Sequence, residues 1–179
     1  MIRLFAAIEV PPEIGEAFLP IMTGVPGARW RPLEALHVTL RFFGEVHESQ
    51  ADDLDLLLGA IRSEPLDLAI RGLGVFGEGH RVDTLWAGVE HGAGLGVLQG
   101  RCEAAARKAG LKPETRLYKP HVTLAYLKGA PAPRVAEWMA ENNLVHSPAW
   151  RAASFGLYSS TLTAEGSRYD LEREYPLRP

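Results

Sequence analysis

The sequence predicts an α+β fold built mainly from antiparallel strands. Strand-like and helix-like segments alternate along the chain. Several strands nevertheless follow one another too closely for a crossover helix, which favours antiparallel pairing over a doubly wound parallel sheet. The tetrapeptide His-Val-Thr-Leu occurs twice, at 37–40 and at 121–124, about half the chain apart. Of the 179 residues, 46% are hydrophobic, enough to fill one domain covering residues 1–179 or one domain made of two related lobes.

The first strand spans Arg3 to Val10 and ends at Pro11-Pro12, where Pro12 suits the first turn of a helix running to about Met22. Gly24 and Pro26-Gly27 break that helix, and Trp30 to Glu34 leads into a strand, His37 to Phe43, closed by Gly44. Ser49 is placed to cap a helix from Gln50 to Arg62, with Leu54, Leu57, Leu58 and Ile61 at helical spacing. Strands follow at Leu66 to Leu73 and at Thr84 to Glu90. Between them the Gly-rich segment Gly72 to Gly79, carrying Phe76, reads as a mobile loop; it is no phosphate loop, because no Lys-Ser/Thr pair follows. A helix over Leu95 to Ala109 stops at Gly110. The second motif strand, His121 to Leu127, is closed by Gly129, and Pro133 precedes a helix from Arg134 to Asn142. Two closing strands, Ala152 to Thr161 and Ser167 to Tyr175, are joined by a turn at Ala164-Glu165-Gly166.

Charge and cysteine content narrow the function. Nineteen Lys and Arg against 22 Asp and Glu leave a formal net charge of −3. Proteins that grip long stretches of nucleic acid carry a strongly basic face, so a nucleic-acid substrate would be held here by an end or a short segment. No apolar stretch approaches the roughly 20 residues of a membrane span. The opening Met-Ile-Arg-Leu-Phe-Ala-Ala-Ile-Glu-Val is too short and too soon acidic for a signal peptide. The single cysteine, Cys102, rules out an internal disulfide and a cysteine-rich zinc site, and it suits a reducing cytoplasm. It sits in a helical run with nothing near it in sequence to activate it, so it reads as a core or spectator thiol. The expected state is a cytoplasmic monomer away from membranes.

The doubled motif carries the chemistry. Each copy begins a strand, is followed by an aromatic five residues after its histidine (Phe42, Tyr126), meets glycine soon after, and lies upstream of a helix. Side chains alternate along a strand, so His37 and Thr39 share one face while Val38 and Leu40 share the other; His121 and Thr123 stand likewise against Val122 and Leu124. If the apolar partners fill a core, the polar ones line a cleft with two imidazoles and two hydroxyls. Ordinary packing does not ask for that combination twice. Two histidines facing one another suit in-line displacement at phosphorus, one imidazole taking a proton from the attacking oxygen while the other gives one to the leaving oxygen. Histidine populates both forms near neutral pH, and threonine hydroxyls can donate to the non-bridging oxygens. A cyclic phosphate is strained and already anionic, so no metal is required. A metal site made of the two histidines lacks an acidic or cysteine companion, since Glu45 and Glu48 lie beyond the strand's face pattern.

With these residues in view, the chain resembles the 2H phosphoesterase superfamily, defined by two His-x-Thr-x motifs, and within it the bacterial 2′-5′ RNA ligase or RNA 2′,3′-cyclic phosphodiesterase branch. Similarity runs through Arg3-Leu4-Phe5-Ala6-Ala7-Ile8, Leu36 to Val46, Leu85-Trp86-Ala87-Gly88-Val89, Pro120 to Ala125, and Ser159-Ser160, Gly166 and Arg168-Tyr169. The resemblance implies a bilobal, pseudo-two-fold α+β fold of two intertwined lobes, each carrying one motif, in which two largely antiparallel sheets flank a central groove, with helices outside. It implies hydrolysis of RNA 2′,3′-cyclic phosphate ends to 2′-phosphates without metal or other cofactor, and in some members ATP-independent 2′-5′ joining of tRNA halves. Carried over by motif, His37 is the proton donor, His121 the proton acceptor, and Thr39 and Thr123 bind phosphate. The family's arginine five residues after the second histidine is Tyr126 here, leaving Lys119, Arg116, Lys128 or Arg41 to compensate.

Phe42 or Tyr126 could stack on a terminal base. Arg41 and Lys119 are further candidates for substrate contact, in a local basic rim with Arg29, Arg31 and Arg116. His47, His80, His91 and His146 read as surface residues, and Trp86 as core. Two other readings stand beside RNA-end hydrolysis: a relative acting on small cyclic nucleotides or sugar cyclic phosphates, and a non-catalytic RNA-end binding module.

Overall fold

A computed structural model describes residues 1–78 and 80–179. The strands are β1 (Ile2–Glu9), β2 (Ala28–Trp30), β3 (His37–Val46), β4 (Leu66–Phe76), β5 (Thr84–His91), β6 (His121–Leu127), β7 (Trp150–Ala152), β8 (Ser154–Thr163) and β9 (Gly166–Pro176). The helices are α1 (Pro12–Glu16), α2 (Glu48–Gly59), α3 (Ala93–Lys108) and α4 (Ala132–Asn142). The strands form one antiparallel sheet in the order β7-β4-β5-β6-β3-β1-β8-β9, with β2 added beside β6. The α+β class and the antiparallel pairing are therefore as the sequence predicts.

The sheet has two halves. The run β1-α1-β3-α2-β4 is followed by β5-α3-β6-α4-β8, the same order of elements. The halves interlock, because β4 pairs with β5 while β8 returns to β1. They meet at the motif strands, which touch through the single pair Val38–Val122. Strands β7 and β8 are separated only by Ala153, yet they lie toward opposite ends of the sheet, so the sheet has to curl. Val38, Leu40, Val122 and Leu124 are buried in one core with Leu54 and Leu58 of α2 and Leu95, Leu98 and Cys102 of α3. Complete burial of each such aliphatic side chain contributes about 1.5–3 kcal/mol. No helix among the described residues is long and apolar enough to cross a membrane.

Several boundaries depart from the sequence reading for identifiable reasons. The helix expected from Pro12 to Met22 stops at Glu16 and resumes as a short 3-10 turn at Leu19–Ile21. Pro20 lacks an N–H, and its ring would clash with the carbonyl four residues back, at Glu16. Helix α2 begins at Glu48 rather than Gln50. His47, not Ser49, is the cap residue, and its N–H donates to Gln50 Oε1 at 3.3 Å. The strand expected from Ala152 to Thr161 divides at Ala153 into β7 and β8, which join different ends of the sheet. The Gly-rich segment is mostly strand: β4 runs on to Phe76, and Gly74 is paired with Trp86. A Cβ on Gly74 would lie 2.0 Å from the Trp86 ring, so glycine there serves packing rather than looseness. Gly79, the last residue of that expected loop, lies outside the described residues.

A bulge recurs in both motif strands and sets the site. Ala6 pairs with Arg41 and Ala7 with Thr39, leaving Leu40 as an extra residue; Leu85 pairs with Ala125 and Trp86 with Thr123, leaving Leu124 extra. One extra residue inverts the alternation beyond it. Strict alternation would bury the residue five after each histidine, whereas the bulge returns Phe42 and Tyr126 to the open face. Gly44, at φ +78°, sits beside a second register shift in β3, so the strand continues to Val46 instead of closing at Gly44.

Candidate active site

His37, Thr39, His121 and Thr123 all line one cleft of about 730 Å³, together with Phe5, Phe42, Phe76, Tyr126 and Tyr169. That volume lies within the roughly 300–1,000 Å³ usual for small-ligand clefts. The Val38–Val122 pair explains the convergence. In antiparallel register it sets His37 level with Thr123 and Thr39 level with His121, so each imidazole has the other strand's hydroxyl beside it. The two histidines are then diagonal neighbours, with roughly 7–8 Å between such positions. Among the described residues neither threonine hydroxyl is taken up by a protein partner, and both are half-buried.

The two imidazoles are held in matching poses. Nδ1 of His37 is 2.8 Å from the Ala35 carbonyl, and Nδ1 of His121 is 2.7 Å from the Lys119 carbonyl. A carbonyl only accepts, so in each case Nδ1–H donates and Nε2 is left to exchange a proton. Aromatic rings back each one. His37 lies 4.9 Å from Phe5 and edge-on to Tyr169 at 5.2 Å; His121 lies edge-on to Phe76 at 4.8 Å and 5.9 Å from Trp86.

Their electrostatics differ in degree. Burial pushes His37 down to about 4, outweighing the lift from the Ala35 carbonyl, with the charges of Arg31 and His121 adding to the fall. Burial also lowers His121, helped by the Lys119 charge and opposed by the Lys119 carbonyl. His37 is therefore the more reluctant of the two to carry a proton, which works against its expected role as donor until an anion arrives.

The cleft is positive although the chain is not. Arg3, Arg31, Arg41, Arg116 and Lys119 line it against Asp83 and Glu114. These cations are differently disposed. Arg41, expected as a substrate contact, is committed to the protein: Nε meets Glu103 at 2.5 Å, Nη2 donates to the Lys112 carbonyl at 2.7 Å, and Nη1 donates to the Phe42 carbonyl. It ties β3 to α3 rather than reaching for a ligand. Arg116 is paired with Glu114 at 3.0 Å. Lys119 is exposed, with Nζ 4.9 Å over the Trp86 ring beside His121. Lys128 is not among the cleft-lining residues. Tyr126, standing where the resemblance expects arginine, has the Arg31 guanidinium 5.6 Å over its ring. His47, His80, His91 and His146 are exposed and away from the cleft.

The sequence reading missed most of the cleft's walls. Phe76 was hidden in a segment read as loop, and Trp86, although buried, also backs His121. Phe5, Tyr158 and Tyr169 form an aromatic group beside His37 that required the β1–β8–β9 pairing to assemble. Arg31, expected in the basic rim, does line the cleft, whereas Arg29 of that rim does not. Among the described residues no cluster of three or more His, Cys, Asp or Glu is set to hold a metal ion.

Comparison with known proteins agrees with this fold. The family model described as the 2′-5′ RNA ligase superfamily matches residues 12–162. An RNA 2′,3′-cyclic phosphodiesterase of Aeropyrum pernix is 37% identical over 149 residues, 82% of this chain and 84% of that protein. Among solved structures, TT0787 of Thermus thermophilus superimposes with a TM-score of 0.80 at 28% identity, covering 98% of both chains. Escherichia coli LigT complexed with 3′-AMP gives 0.78 at 27% identity, again over 98% of both chains.

Proposed function

The chain belongs to the 2′-5′ RNA ligase superfamily, and from that premise we propose that it hydrolyses RNA 2′,3′-cyclic phosphate ends to 2′-phosphomonoesters by paired-histidine acid–base catalysis. The observation that carries the proposal is the Val38–Val122 pair, which brings the His and Thr of both motifs onto one cleft. Each lobe of a single two-lobed domain contributes one motif.

In this reading Thr39 and Thr123 donate to the non-bridging oxygens. His121 Nε2 takes a proton from the attacking water, and His37 Nε2–H gives one to the departing 3′ oxygen. The P–O3′ bond breaks, the 2′-phosphate remains, and the net reaction consumes one water. His37 by itself is reluctant to hold a proton, so the phosphate's own negative charge has to favour its imidazolium. Reversal exchanges acid and base. With an RNA 5′-hydroxyl in place of water, the same displacement of the 3′ oxygen forms a 2′-5′ linkage without ATP, the reaction that would join tRNA halves, and its reversal cleaves that linkage. The exposed rings of Phe42 and Tyr126 at the cleft offer faces for a terminal base, and Lys119 a mobile charge. We take the protein to act as a monomer in the cytoplasm, a compartment that suits its lone buried thiol, Cys102.

Product analysis tests the proposal. An oligonucleotide ending in a 2′,3′-cyclic phosphate is expected to yield a 2′-phosphate, at a rate unchanged by EDTA, and to turn over faster than a free 2′,3′-cyclic nucleotide. A preference for the free nucleotide would favour the small-molecule reading. Binding without product would favour the non-catalytic module.

A further inference from the structure

Arg31 is a buried cation aimed at the cleft, and the catalytic cycle above gives it no task. It follows β2, and its N–H donates to the Leu124 carbonyl at 2.8 Å, which fixes it one position from Thr123 on the second motif strand. Its guanidinium lies between two rings, 5.6 Å from the centroid of Tyr126 and 5.1 Å from that of Tyr169. One nitrogen, Nη2, donates to the Ser167 carbonyl at 3.1 Å. Among the described residues no carboxylate pairs with Arg31, whereas Arg41 and Arg116 each have a glutamate.

A charge withdrawn from water without a counter-ion is unfavourable unless an anion completes the arrangement. The two tyrosines hold the guanidinium plane, so little side-chain freedom is lost when that anion arrives. Arg31 also lies close enough to His37 for its charge to be felt there.

We infer that Arg31 is the phosphate-binding cation of this cleft, a guanidinium delivered from β2 and clamped by Tyr126 and Tyr169 to face the non-bridging oxygens of the terminal phosphate. The inference rests on the phosphodiesterase reading, and its test therefore includes a readout that needs no turnover.

Two quantities are measured in wild type, Arg31→Met and Arg31→Met with Tyr126→Arg: calorimetric binding of inorganic phosphate, and kcat and KM on a cyclic-phosphate-ended oligonucleotide. Loss of a charge-assisted contact weakens binding by about 10- to 100-fold. Arg31→Met is thus expected to raise the phosphate Kd and the KM by that factor, and Tyr126→Arg to recover most of it, because it returns a guanidinium to the same spot. A merely structural Arg31 would lower the Tm and leave the phosphate Kd within twofold, which overturns the inference; so does a loss that Tyr126→Arg leaves unchanged. If Arg31→Met does not fold, Arg31→Lys replaces it: phosphate binding severalfold weaker supports the inference, and unchanged binding overturns it. Phosphate binding that depends on Arg31 in a protein that turns over no cyclic phosphate would sink the phosphodiesterase reading alone.

Discussion

Each histidine of the doubled motif commits Nδ1 to a main-chain carbonyl two residues upstream, and that single contact decides which nitrogen does chemistry. The pH dependence follows from the surroundings. Both groups titrate below their ordinary value, His37 at about 4, chiefly because burial disfavours the imidazolium. Turnover needs one neutral and one protonated ring, and in the free protein that pair of states is populated on the acid side of pH 6.5. The kcat/KM profile is therefore expected to peak below 6.5, to fall as pH rises past it, and to fall again toward pH 4 as both rings protonate. An optimum above pH 8 would contradict this. The same shift acts on stability. A histidine whose folded pKa is depressed gives its full contribution above 6.5, and that contribution is lost as pH falls from 6.5 toward 4. At this scale the motif residues were legible because they recur. Arg41, expected as a substrate contact, is held by Glu103, a partner distant in sequence, and Arg31 belongs to the expected basic rim, but nothing local shows that it lacks such a partner.

Local pattern located nearly every strand and helix, but not the bulges. Burial in β3 and β6 follows the same course from histidine to the aromatic five residues on, and in both strands the break in alternation falls on the motif leucine. A two-residue period cannot announce where it will be interrupted; repetition of the aromatic at the same offset was the only trace. Strand β4 teaches a similar lesson. Its glycines read as a loop, yet Gly74 makes room for the Trp86 ring, which in turn backs His121. Gly74→Ala is accordingly expected to destabilise the fold by about 1–3 kcal/mol, as overpacking does. It is also expected to lower kcat by displacing Trp86 from behind His121. Thermal unfolding and steady-state kinetics on the one variant check both, and wild-type values in each would show that the ring has somewhere else to go.

Across the whole molecule, a net charge of −3 coexists with a cleft whose lining cations outnumber its acids. The field that would hold a phosphate is local, in keeping with recognition of an end rather than a long strand. The doubling of the motif foretold two related halves meeting at their motif strands. That the lobes are intertwined is implied by the family resemblance and not by the doubling; which strands interlock them, β4 and β8, depends on partners far apart in the chain. The central claim is that two imidazoles, one from each half, act on the same phosphorus. The most direct measurement is kcat/KM on a cyclic-phosphate-ended oligonucleotide for His37→Ala, His121→Ala and the double variant, each with its fold verified by thermal unfolding. Groups acting as one unit are strongly non-additive, so each single variant should lose about a thousandfold or more and the double little beyond that. Near-wild-type turnover in either single variant, or two losses that simply multiply in the double, would contradict it.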